Sequence, residues 1–203
     1  MISIHFKKGI QQRTRGSCTN VTNFCFFQQT FHYDSHLWSN NETFNLVGGE
    51  TGFDTEETKL PTFWNTPLSK ICLGMKIPGE ETTNFILINQ TADSLYALIA
   101  DGKFRDISVG RNNWKSLLGS QGSLQPNCNK EGFNTVNTLN NPTIRVRIGI
   151  LGNNEDDCAY CDSRIGFGSG GHPDNTNTCG IEAKFFSDNG DKHIKVMGYI
   201  FIQ

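Results

Sequence analysis

Nowhere does this sequence stay apolar for more than a few residues. Its apolar runs, such as Phe85-Ile-Leu-Ile88 closed by Asn89, are short, and glycine and asparagine each occur 21 times in 203 residues. Glycine reaches left-handed backbone at no steric cost, and asparagine tolerates it in turns. Long helices are thereby disfavoured, and a loop-rich fold of short strands is expected. Such runs are far shorter than the roughly 20 residues that cross a bilayer, so membrane insertion is not expected.

Isoleucine, leucine, valine and phenylalanine still make up about a quarter of the chain, enough to bury a core. The length suits one domain, read here as residues 31–203 behind an N-terminal segment, 1–30. A net charge of −2 offers no broad basic field for a phosphate backbone, so nucleic acid is not an expected partner.

Within the domain, Ile71–Ile77 and Asn84–Ile88 read as strands bounded by turn formers. Ile144-Arg-Val-Arg-Ile-Gly-Ile150 alternates, which places Ile144, Val146, Ile148 and Ile150 on one face. Ile194–Ile202 reads as a single closing strand. Ser94–Ala100, after an Asp93 cap and before Gly102, reads as a short helix, and Asn113–Leu118 as another. The fold class expected from these elements is α+β.

Seven cysteines (18, 25, 72, 128, 158, 161 and 179) and three Asn-x-Thr triplets, at Asn20, Asn41 and Asn89, point to an oxidising, extracellular setting and a glycoprotein. Residues 1–8 contain no apolar h-region, so the chain reads as an incomplete secreted protein. The odd cysteine count leaves room for a disulfide-linked oligomer, beside a non-covalent one. Cys158-Ala-Tyr-Cys161 has redox or zinc spacing, but zinc needs four ligands and only Cys179 and His172 stand near in sequence. A bond from Cys158 or Cys161 to Cys179 would close a loop of about 20 residues and contribute roughly 3 kcal/mol, so that pairing is expected.

The densest polar cluster is Gly152-Asn-Asn-Glu-Asp-Asp-Cys-Ala-Tyr-Cys-Asp162. Calcium takes six to eight oxygen ligands, and this loop offers carboxylates and amides without the spacing of an EF-hand. An ordinary solvated acidic turn is the competing reading. The glycine run Gly166–Gly171 leads to His172, a candidate ligand contact, and Asp174, and it lacks the Lys-Ser/Thr of a phosphate loop. Asp188-Asn-Gly-Asp191 reads as a hairpin turn. No Gly-x-Ser-x-Gly elbow is present, and no enzyme activity is expected.

Four stretches in order resemble the intelectin branch of the fibrinogen-like calcium-dependent lectins: Gly52–Asp54 through Trp64-Asn-Thr-Pro67, Ser94–Tyr96 through Asp101–Phe104, Asn153–Glu155 after a strand, and the glycine run through Pro173-Asp174 to Cys179-Gly180. The resemblance covers about residues 50–203. It implies a fibrinogen C-terminal-like fold and a bound Ca²⁺ that recognises the hydroxyls of glycans. It implies Asn154, Glu155, Asp162, Asp174 and Asp54 as metal ligands, and Asn154 and Asp174 in the sugar site, beside the His172 already singled out. Arg164 and Ile165 stand where that family has an acidic residue and a histidine, and an extracellular structural or adhesion module without a sugar site is the alternative it leaves.

Overall fold

The computed structural model describes residues 23–24, 29–49 and 55–203. Asp54, Cys18, Cys25 and the Asn20 triplet lie outside the described residues, as does most of the 1–30 segment.

Among the described residues, ten strands form two antiparallel sheets: β1 (Asn23–Phe24), β2 (Leu68–Lys76), β3 (Asn84–Ala92), β4 (Arg105–Asp106), β5 (Asn127–Val136), β6 (Ile144–Asn153), β7 (Ser163–Gly171), β8 (Cys179–Ala183), β9 (Lys192–Lys195) and β10 (Met197–Ile202). The first sheet runs β1-β10-β2-β3, and the second is a meander in chain order from β4 to β9. The α-helices are single turns or little more: α1 (Thr62–Asn65), α2 (Leu95–Ile99) and α3 (Arg111–Ser116).

The expected α+β class is therefore corrected to a mostly β architecture. The cause lies in glycine- and asparagine-rich segments that read as loops but are strands. Gly149 and Gly166 are register partners in β6 and β7. A Cβ on Gly149 would strike the Ile165 carbonyl oxygen, and one on Gly166 would lie 2.7 Å from the Ile148 carbonyl oxygen. Glycine here lets two backbones approach closely while their ladder hydrogen bonds form, a role that periodicity does not report. β7 is buried along all but its last residue, Gly171.

One apolar core joins the sheets: Ile71, Leu73, Ile88 and Ile200 from the first, with Ile148, Ile150, Ile165 and Phe167 from the second. Leu98, Ile99 and Trp114 on α2 and α3 join it, which is what orders such short helices, since a single turn is not stable alone. α2 is capped by Ser94, whose Oγ accepts the Ala97 amide at 3.1 Å, rather than by Asp93. The alternation in β6 also divides: Ile148 and Ile150 enter the main core, while Ile144 and Val146 pack with Leu151 and Cys161 in a second cluster.

Residues 194–202 are not one strand. The chain leaves β9 in the second sheet, passes Val196, whose amide donates to the Cys179 carbonyl at 3.1 Å, and enters β10 in the first. The turn expected at Asp188–Asp191 links β8 to β9, with Gly190 at φ +72°.

Candidate functional site

Each polar group of the acidic loop would suffer like-charge repulsion if left alone, so its partners decide what it can hold. Asn153 donates to the Asp157 carboxylate at 3.1 Å, and that carboxylate also accepts the Ala159 amide at 2.7 Å. Asn154 donates to Glu155 at 2.7 Å. The buried Gln125 ties the loop together: its Nε2 donates to Asn154 Oδ1 at 3.1 Å and to Asp162 Oδ2 at 3.4 Å, and its Oε1 accepts the Asp162 amide at 3.0 Å. Gln125 stands outside the loop motif, between Leu124 and Pro126, and no sequence signal marks it.

The connections flanking β7 meet. His172 Nε2 lies 2.9 Å from Asp162 Oδ1, and between these walls runs a groove of about 620 Å³ lined by Thr143, Arg145, Tyr160, Asp162, His172 and Asn175. The Tyr160 ring is 69% exposed at its rim. Asn175 is positioned by its Oδ1, which accepts the Gly171 amide at 2.6 Å and lies 2.9 Å from His32 Nε2.

Asp174 stands in a separate cluster. Its Oδ1 accepts the Thr176 amide at 2.6 Å, and its Oδ2 lies 3.6 Å from His193 Nδ1. Burial alone would raise the Asp174 pKa, but the Thr176 hydrogen bonds, with His193 and Lys195 nearby, hold it below its ordinary value. Glu182 on β8 and His193 on β9, cross-strand partners, complete the cluster. Glu182 is 1% exposed; its Oε1 accepts Asn177 Nδ2 and lies next to His193 Nδ1, each at 2.6 Å, while its Oε2 has no hydrogen-bond partner. Neither residue sits in a motif, because only the strand register brings them together.

Arg164, 1% exposed, pairs with neither Glu155 nor Asp162. Its guanidinium donates to the carbonyls of Gly171, His172, Asp174 and Asn177, the last at 3.2 Å. Burial lowers its pKa to about 10, against the opposing pull of Glu182 and Asp174, so it remains a cation at neutral pH. The 171–177 loop is thus wrapped around a side-chain cation.

Of the five expected metal ligands, Asn154, Glu155 and Asp162 share one hydrogen-bonded loop, Asp174 belongs to the cluster with Glu182 and His193, and Asp54 is outside the described residues. Beside Asp174, Arg164 takes the carbonyls of the 171–177 loop, and a dication placed there would meet a fixed positive charge.

The cysteine expectation is corrected too. Cys158 is bonded to Cys128, and Cys161 is a buried free thiol, so neither is joined to Cys179. Cys179 lies in β8, register partner to Phe167 within the main core, whereas Cys161 packs in the second cluster. Cys128 sits in the irregularity of β5 between Asn127 and Lys130, beside the end of β6 from which the loop carrying Cys158 departs.

No family model matches the chain, and comparison with curated proteins and with solved structures returns no match either.

Proposed function

We propose that this protein is a secreted carbohydrate-binding protein that holds a glycan in the groove beside Tyr160. The observation that carries this reading is the exposed Tyr160 ring next to the fixed polar groups of Asp162, His172 and Asn175. A sugar presents an apolar C–H face and a rim of hydroxyls; an aromatic ring covers the first, and planar carboxylate, imidazole and amide groups pair with the second. Secretion is supported by the Cys128–Cys158 disulfide and by the exposure of Asn41 and Asn89 in two glycosylation triplets. Among the described residues no helix is long and apolar enough to cross a membrane.

Arg164 takes the backbone carbonyls beside Asp174, and recognition is proposed to run through side chains independently of calcium. A glycan array probed with and without chelator tests this. Binding that survives chelation and is lost in Tyr160→Ala and His172→Ala supports the proposal. Binding abolished by chelator returns calcium to the site, and an array without hits leaves the second reading, a structural or adhesion module.

A further inference from the structure

The Cys161 thiol lies 3.8 Å from Cys128 Sγ, one of the two sulfurs of the Cys128–Cys158 bond. A thiolate exchanges with a disulfide by attacking one of its sulfurs in line with the bond that breaks, and the incoming Cys161 and the leaving Cys158 are carried here by one loop. Cys158 and Cys161 are also linked locally, with Cys161 Sγ 3.6 Å from the Cys158 carbonyl oxygen. Cys161 is 1% exposed, whereas Cys158 is only partly buried.

We propose that Cys128, Cys158 and Cys161 form a thiol–disulfide exchange site, in which the bond passes from Cys128–Cys158 to Cys128–Cys161 and the thiol moves to Cys158 at the surface. The balance is internal. Cys161 loses its proton, its sulfur bonds to Cys128, the Cys128–Cys158 bond breaks, and Cys158 leaves as a thiolate that takes up a proton. Nothing is oxidised or reduced overall. The surface thiolate is then a modification site for a small-molecule disulfide, which it attacks to form a mixed disulfide while the other half leaves as a thiol.

Burial pushes the Cys161 pKa up to about 12, the carboxylates of Asp162 and Asp157 add to this, and Lys130 opposes them. This inference does not depend on glycan binding, although the cysteines flank Tyr160 and adjoin Asp162.

The test follows N-ethylmaleimide labelling of the intact folded protein at pH 7 and pH 9, with acid quench and mapping of labelled and disulfide-linked peptides. The expected result is label at Cys158 together with a Cys128–Cys161 linked peptide; Cys161→Ser should remove the Cys158 label. In Cys158→Ser, the remaining pair should close as Cys128–Cys161. Label at Cys161 alone, or no label at either residue with Cys128–Cys158 intact, overturns the proposal. So does a Cys158→Ser protein that leaves Cys128 reduced under air oxidation.

Discussion

Glu182 and His193 face each other across β8 and β9 with Oε1 and Nδ1 2.6 Å apart, the carboxylate sealed from solvent and the imidazole half exposed. The exposed member shields the buried one. Removing the imidazole leaves a buried carboxylate with Asn177 and the nearby charge of Arg164, whereas Glu182→Gln removes the charge and keeps the shape. His193→Ala is expected to cost about 3 kcal/mol and Glu182→Gln about 1 kcal/mol. Urea unfolding ranks the two, and the reverse order would contradict this account of the pair.

Arg164 supplies a planar fork to four carbonyls of one loop, and a lysine ammonium cannot match that geometry. Arg164→Lys is expected to lose about 2 kcal/mol and Arg164→Met about 3 kcal/mol or more, because buried carbonyls are left without donors. Thermal unfolding measures both. Hydrogen exchange should show the loss at 171–178 first.

Lys59 is fully enclosed, with Nζ donating to the Asn40 carbonyl at 2.8 Å and lying 4.8 Å from the Phe63 ring centre. Burial outweighs the attraction of Glu42 and lowers its pKa from 10.5 to about 8. Between those values the unfolded chain holds the proton and the folded protein has released it, so stability rises with pH. The penalty is full below about 8 and relieved by about 10.5. Relative to Lys59→Met, the wild type should gain about 3 kcal/mol across that window. A flat difference between the two proteins over pH 7–11 would sink the claim.

Gly166→Ala is expected to cost about 2–3 kcal/mol, since its new methyl must displace the Ile148 carbonyl or part the strands. By contrast, a Cβ on Gly79 meets nothing within 4 Å, and Gly79→Ala carries only the strain of φ +84°, about 1 kcal/mol. Chemical denaturation of both variants makes the comparison.

What the sequence discloses follows from which signals are local. β2, β3 and β6 announce themselves because β-branched and apolar residues crowd short windows between turn formers, and α2 because a short apolar run ends before Gly102, although its cap is Ser94 and not the expected Asp93. β7 is hidden because Ser163–Gly171 contains four glycines, whose purpose is visible only beside β6. The site divides in the same way. Asp162 and His172 belong to motifs visible in the chain and do meet, but Gln125, Glu182 and His193 enter through strand register and carry no pattern of their own. Arg164 is legible as a departure from the resembled family, yet its four carbonyl partners are not.

Because the run from Lys192 to Ile202 switches sheets at Val196, the second sheet's edge and the first sheet's interior are made by one continuous stretch. β10 lies between β1 and β2, with Cys72 of β2 opposite Phe201. Until that stretch arrives, β2 has only β3 as a neighbour, and its other edge of backbone donors and acceptors has no ladder to join. The first sheet is therefore the later of the two to assemble, and its nascent edge is the place where a chaperone or a neighbouring nascent chain would find an open template.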